Sequence, residues 1–144
     1  MIYFKLMSVV FMVLCVGCSV SNGGSNKKIF YALKGTDTAV VSVSLDASGM
    51  PRDNVEKLIL YPGQKVIYAG PDEFDIFFKN RKSPSKTINY KSENGVVVIA
   101  IPSGILDSPE FSDEYRKNKF IRFDYGIRVN GKELDPPMIV TRRN

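Results

Sequence analysis

The chain has 144 residues with 20 basic and 15 acidic side chains, a net charge of +5, and no histidine. Without histidine the chain cannot build Ser-His-Asp or Cys-His catalytic groups or a histidine-ligated zinc site. A net charge of this size is ordinary for a protein surface and does not predict nucleic-acid binding. Residues 28–144 have a usual length for one domain.

The chain begins with a short apolar segment over residues 6–17, which follows the single charge of Lys5 and precedes a Ser-Gly-Asn-rich stretch. A helix needs roughly 20 apolar residues to cross a bilayer, so this segment predicts a secretory signal and not a membrane span. At its end, Gly17-Cys18 resembles the lipobox of bacterial lipoproteins. Cys15 stands where that family prefers leucine, three residues before the modified cysteine.

The lipobox resemblance implies a signal peptide over residues 1–17, cleavage after Gly17, lipid attachment at Cys18 and a flexible linker over residues 18–27. An ordinary signal cleaved after Ser21 and an uncleaved anchor are the alternatives. A lipid on Cys18 leaves the mature chain no thiol for a disulfide. The implied location is the bacterial cell envelope, and in a cell with two membranes Ser19 implies the periplasmic face of the outer membrane.

Beyond the linker, apolar and polar residues alternate with period two, which predicts one all-β domain over residues 28–144. We predict strands at residues 28–33, 39–45, 56–61, 64–69, 74–79, 95–101, 121–130 and 138–141. At most one short helix is expected, near residues 108–118. The strand at 95–101 is apolar on both faces, which favours a central position covered on both sides.

Seven to nine short strands with few helical segments predict an antiparallel β-sandwich, with a small barrel as the alternative. Residues 58–68, LILYPGQKVIY, resemble the strand, Pro-Gly turn and strand of cupredoxin-like domains. Residues 125–136, followed by an apolar pair at 139–140, are similar to the closing hairpin of cupredoxin-like envelope proteins. The resemblance implies a Greek-key cupredoxin-like fold. Because type 1 copper needs two histidines and a cysteine, we expect no copper and no other cofactor.

Four basic residues lie close together in one predicted loop and are the candidates for a binding surface: Lys79, Arg81, Lys82 and Lys86. A basic loop of this kind can bind anionic lipid head groups or cell-wall polymers. A solvated loop without a partner is the alternative interpretation. The predicted export and tethering argue against nucleic acid as a partner.

Catalytic candidates have little support in the sequence. Ser83 and Ser85 are close to Lys86 in sequence, as a Ser-Lys nucleophile requires. The segment that contains them, however, has the composition of an ordinary loop. Two groups of carboxylates fit turn chemistry better than catalysis or calcium binding, and the second group lacks the spacing of an EF-hand loop. These groups are Asp72, Glu73 and Asp75, and Asp107, Glu110, Asp113 and Glu114. We predict no catalytic residue and no metal site.

Two functional hypotheses follow. The first is a lipid-anchored, non-enzymatic envelope module that binds an envelope protein or a cell-wall polymer. The second is an envelope enzyme, or a protein that binds a small ligand or glycan, with an unrecognised carboxylate or Ser-Lys site or with exposed tyrosines. A deep pocket at Asp72, Asp75 or Lys86 favours the second, and a filled core with shallow surfaces favours the first. The tyrosines in question are Tyr61, Tyr68, Tyr90, Tyr115 and Tyr125.

Overall fold

The computed structural model describes residues 28–31 and 36–143. These residues form eleven β-strands, one α-helix and two short 3₁₀ helices at Lys79–Arg81 and Ile105–Asp107. The strands are β1 (Lys28–Tyr31), β2 (Thr38–Leu45), β3 (Pro51–Asp53), β4 (Val55–Leu60), β5 (Lys65–Ala69), β6 (Asp75–Phe78), β7 (Asn89–Lys91), β8 (Val96–Ala100), β9 (Phe120–Val129), β10 (Lys132–Leu134) and β11 (Pro137–Thr141). The helix α1 is Ser112–Asn118, inside the region predicted to hold one short helix.

The strands form two sheets. The larger has the order β1-β4-β11-β9-β6-β7, with β10 also paired to β9, and the smaller has the order β3-β2-β5-β8. The prediction of an all-β sandwich is confirmed, but the prediction of purely antiparallel sheets is wrong, because β4 and β11 are parallel and so are β2 and β5. The strand number also exceeds the predicted seven to nine. Three-residue strands such as β3 and β10 are too short to give a period-two signal.

The two sheets face each other across one apolar core. On β9, the side chains predicted to share a face are all buried: Ile121, Phe123, Tyr125, Ile127 and Val129. Tyr68 of the smaller sheet meets Tyr125 of the larger one edge to face, with ring centroids 5.7 Å apart. The alternation in the sequence therefore identified the inner face of this strand correctly.

The outer face of the larger sheet has a tightly packed site around Gly126. Phe77 on β6 is directly opposite Gly126 on β9, and its ring covers the glycine so closely that an added Cβ would overlap it. The guanidinium of Arg128 lies 4.5 Å from the centre of the same ring. Phe77 therefore packs on the outer face, while its neighbours Ile76 and Phe78 are buried in the core. A glycine in a strand is stabilised in this way by a covering aromatic ring.

The strand β8 corrects one prediction, because it lies at the edge of the smaller sheet and not in a central position. Val96 and Val98 are 39% and 51% exposed. In the register of the sheet, Val98 is beside Ile67, which is beside Val40, so the outer face carries an apolar row. Valine favours extended backbone whether or not both faces of a strand are covered, and the sequence pattern alone could not separate the two cases.

Strand directions bring several loops to one end of the sandwich. β11 is parallel to β4, and both β11 and β6 are antiparallel to β9, so β4, β6 and β11 point the same way. The turn after β4 reverses the chain into β5, and β8, antiparallel to β5, points the same way as β4. The segments that follow these strands, residues 61–64, 79–88, 101–119 and 142–143, make up what we call the loop end.

The chain enters the sandwich at the opposite end from the loop end. β1 is parallel to β4, and Lys28 pairs with Val55, the first residue of β4. Lys28 therefore lies at the end of the sandwich away from the loop end. Among the described residues, no helix has the length and apolar character needed to span a membrane.

Candidate functional site

A cavity of about 610 Å³ opens at the loop end, between residues 79–88 and residues 102–111. Its apolar wall includes Pro84, Ile88, Ile105 and Phe111. Its charged lining residues are Arg81, Lys86 and Glu110. The volume is within the range of roughly 300–1,000 Å³ that small-molecule sites occupy. We call this space the loop-end cavity.

The structure divides the four predicted basic residues into two pairs. Lys79 and Lys82 are in ion pairs with Asp135 at 2.7 Å and with Glu114 at 2.5 Å. Arg81 and Lys86 line the loop-end cavity. In residues 36–143, neither Arg81 nor Lys86 takes part in an ion pair. Two of the four cations thus hold the loop in place, and the other two are available to a ligand.

Lys82 connects the loop to the body of the protein. Its ammonium lies 5.4 Å from the ring centre of Phe123 and 6.0 Å from that of Phe111. Its partner Glu114 on α1 also accepts a hydrogen bond from the backbone N–H of Arg122 at 3.0 Å. The ion pair is only 31% and 26% exposed, so solvent screens it less than an ordinary surface pair. This contact fixes one wall of the cavity to α1 and β9.

Hydrogen bonds inside the loop use its serine hydroxyls. Ser83 Oγ donates to the carbonyl of Thr87 at 2.6 Å, and Ser85 Oγ lies 2.5 Å from the hydroxyl of Tyr90. Within the part of the chain that the structure describes, no hydrogen bond joins either serine to Lys86. The two hydroxyls therefore stabilise the loop through these hydrogen bonds.

The backbone is unusual where the loop leaves β6. Asn80 and Arg81 both have a φ of +55°, in the left-handed region that non-glycine residues rarely adopt. Such conformations cost on the order of 1–3 kcal/mol each in unfavourable cases, and they occur often at ligand sites. Lys79 and Lys82 anchor the segment on either side. Asn80 and Arg81 therefore lie between two lysines that are held by ion pairs. Arg81 is also one of the two cations that line the cavity.

The two loops that form the cavity have opposite charges. Residues 79–88 contain four basic and no acidic side chains, whereas residues 102–111 contain Asp107 and Glu110 and no basic side chain. Of those two acids, only Glu110 lines the loop-end cavity. Asp107 lies beside the smaller cleft of about 410 Å³ next to Arg142 and Arg143. The loop-end cavity therefore offers cations on one wall and a carboxylate on the other.

The carboxylates singled out in the sequence are dispersed. Glu73 and Asp75 line a polar cleft of about 420 Å³ together with Lys91 and Arg128, and Asp72 has its carbonyl bonded by Ser92 Oγ at 2.9 Å. Across residues 28–31 and 36–143, no group of three or more acidic or cysteine side chains is arranged to hold a metal ion. In the second group, Asp113 pairs with Arg116 and Glu114 with Lys82.

The five tyrosines do not form one exposed platform. Tyr68 and Tyr125 are fully buried, and for neither hydroxyl does the described part of the chain provide a hydrogen-bond partner. Burial raises the pKa of both phenols well above the usual value. Tyr125 raises the pKa of Tyr68 further, Tyr68 offsets part of the increase in the pKa of Tyr125, and the nearby buried Asp53 raises both. Both groups are therefore neutral at physiological pH. Tyr61, Tyr90 and Tyr115 are half-buried.

The sequence did not indicate the second wall of the cavity, although Glu110 was among the carboxylates considered as site candidates. Ile105, Glu110 and Phe111 lie beyond β8 and meet the basic loop only because β6 and β8 end at the same side of the sandwich. No local motif signals this meeting. The predicted lipid site Cys18 and cleavage position Gly17 lie outside the described residues.

Comparison of the sequence with models of protein families finds no match, and comparison with curated proteins finds no significant match.

Proposed function

We propose that this chain is a lipid-anchored lipoprotein of the bacterial cell envelope, with a non-enzymatic binding domain whose binding site is the loop-end cavity. One observation carries the proposal. Arg81 and Lys86 line an open cavity of about 610 Å³ with an apolar wall and have no ion-pair partner among residues 36–143. A cavity with exposed, unpaired cations and apolar surface is suited to bind a ligand of opposite charge. Because the cavity is lined by Lys86, it favours a domain that binds a ligand over a module with only shallow surfaces.

The path of the chain supports a cavity that faces away from the anchoring membrane. β1 begins at Lys28, at the end of the sandwich opposite the cavity, so in this proposal the tether from Cys18 joins the domain there. Residues 19–26 have a maximum extended length of about 28 Å. The ten residues of β9 span about 33 Å, which is the length of the sandwich between its two ends. The arrangement favours an envelope protein or cell-wall component as partner over the head groups of the anchoring membrane.

We further propose that the sandwich is a copper-free member of the cupredoxin-like group with Greek-key connections. The Pro62-Gly63 turn connects β4 of the larger sheet to β5 of the smaller one, and Gly63 has a φ of +83°. The closing segment similar to those proteins forms the hairpin of β9 and β10 followed by β11. These placements agree with the motifs that suggested the resemblance.

The anchor is tested with Cys18→Ser beside Cys15→Ser as the matched control. We expect the parent and Cys15→Ser to incorporate labelled palmitate and to fractionate with membranes, and Cys18→Ser to do neither. Equal membrane association of Cys18→Ser and the parent would remove the lipid anchor from the proposal.

The binding role is tested by crosslinking in intact cells, followed by capture of the protein and its partner. The double variant Arg81→Ala/Lys86→Ala removes both cavity cations, and Lys57→Ala/Lys117→Ala removes two exposed charges elsewhere. We expect the first to lose at least about 90% of the captured partner and the second to retain it, because charge complementarity at the site is lost only in the first. Equal capture by both double variants would contradict the proposed site.

A further inference from the structure

We infer that the loop-end cavity binds the carboxyl-terminal end of a peptide whose last residue is apolar. The inference rests on the proposed binding role of the cavity and names its ligand class. A peptide terminus of this kind has three chemical parts: a carboxylate, an apolar side chain and a backbone N–H. The cavity provides a matching group for each of the three.

The carboxylate fits the wall formed by residues 79–88. Arg81 has a planar guanidinium that binds a carboxylate through two parallel hydrogen bonds, and Lys86 adds a compact positive charge. The neighbouring Lys79 and Lys82 are already neutralised by Asp135 and Glu114. The free positive charge of this wall is therefore concentrated on the two residues that line the cavity.

The apolar side chain fits between the two loops. Ile105 and Phe111 are buried and Ile88 is half-buried, and all three line the cavity with Pro84. Ile88 is the most exposed of these groups, and none of the four side chains has a hydrogen-bonding atom, so an apolar side chain is favoured over a polar one. The nearby Ser83 and Ser85 hydroxyls are engaged within the loop.

The backbone N–H fits the opposite wall. Glu110 is exposed, lines the cavity and belongs to no ion pair in the region 36–143. A carboxylate here accepts a hydrogen bond from the amide of the last residue while the terminal carboxylate is held across the cavity. Glu110 also disfavours polyanionic polymers, because a second phosphate or carboxylate would be repelled.

Two other ligand chemistries fit less well. A sugar needs an exposed aromatic face and free hydrogen-bonding side chains, but Phe111 is only 4% exposed. A fatty acid matches the cations and the apolar wall but leaves Glu110 without a role. In the proposed arrangement, head groups of the anchoring membrane lie on the side of Lys28, at the end of the sandwich opposite the cavity.

The experiment titrates the purified full-length protein in detergent with four probes by isothermal titration calorimetry. The probes are acetyl-Gly-Gly-Leu, the same peptide with a carboxyl-terminal amide, acetyl-Gly-Gly-Asp and decanoate. We expect the first to bind, and the amide and the aspartate peptide to bind at least about tenfold more weakly, because one lacks the charge and the other the apolar side chain. Decanoate is expected to bind more weakly than the leucine peptide.

Variants assign the contacts. Arg81→Ala and Lys86→Ala should each weaken binding of acetyl-Gly-Gly-Leu by about tenfold, Glu110→Gln by several-fold, and Lys117→Ala not at all. Lys86→Ala lies outside the strained pair Asn80-Arg81 and repeats the test if Arg81→Ala alters the loop. Thermal unfolding of each variant checks that the fold is retained.

Three results would overturn the inference. The first is equal affinity for the acid and amide peptides, and the second is decanoate binding at least as tight as the peptide and unaffected by Glu110→Gln. The third is no binding of any probe. If capture in intact cells still depends on Arg81 and Lys86 in that case, the ligand class is wrong and the proposed function stands. If capture does not depend on them, the proposed function fails as well.

Discussion

The interior of the sandwich and its loop end are built on different physical principles. The interior is filled with apolar side chains, and it encloses the Tyr68 and Tyr125 rings with hydroxyls that have no hydrogen-bond partner in the described part of the chain. The loop end is held by ion pairs, hydrogen bonds and ring contacts around Lys82, and it leaves a cavity open. The folding free energy therefore comes mainly from the interior, whereas the proposed binding site belongs to the loop end.

The largest effect is expected from truncating the interior beneath the loop end. Phe123 is fully buried and packs edge to face on Phe111, with ring centroids 5.3 Å apart. Phe123→Ala should lower the free energy of unfolding by about 3–5 kcal/mol, measured by urea denaturation. Val98→Ala on the half-exposed outer face should cost less than about 1 kcal/mol. Similar losses in both variants would remove the distinction between interior and surface.

A smaller effect is expected from the contact that fixes the loop. Lys82→Ala removes a partly buried ion pair with Glu114 and a cation over the Phe123 ring. We expect a loss of about 1–2 kcal/mol, and a double-mutant cycle with Glu114→Gln should show coupling between the two residues. The control is Lys79→Ala, whose pair with Asp135 is more exposed and should contribute less than about 0.5 kcal/mol. An uncoupled cycle would mean that Lys82 does not anchor the loop.

The smallest effect concerns the buried phenols. Tyr68→Phe/Tyr125→Phe should raise the free energy of unfolding slightly at neutral pH, by about 1 kcal/mol, because it removes two buried hydroxyls whose desolvation no hydrogen bond compensates. Both pKa values are raised above the ordinary value of 10, so their contribution is present below pH 10 and is lost as the pH rises above it. The double variant should therefore lose less stability than the parent between pH 10 and 12, measured by denaturation at fixed pH. An identical alkaline loss in both proteins would show that these phenols do not control it.

Parts of the fold could be predicted because they are local. The alternation along residues 121–129 identified a strand with one buried face, and the polar stretch near residues 108–118 contains α1. The central position predicted for β8 was wrong, since a run of valines is the same in a covered strand and in an exposed edge. The parallel pairing of β4 with β11 joins segments far apart in sequence, which period-two alternation cannot specify.

The candidate site could also be predicted only in part from the sequence. The sequence identified a basic loop, but it could not show which of the four cations are in ion pairs. Only the fold brings Glu114 to Lys82 and Asp135 to Lys79, and so leaves Arg81 and Lys86 without a partner in residues 36–143. Ile105, Phe111 and Glu110 belong to a second loop that follows β8, and no composition or spacing rule connects the two segments.

By itself, the sequence determined the all-β class, the inner face of β9 and the absence of histidine chemistry, because these follow from composition and from the period of the strand. The tertiary structure decided which strands lie at an edge, which cations are paired and where a cavity opens. These features depend on contacts between segments distant in the chain, whose free energies are set by the packed arrangement and not by the local order of residues.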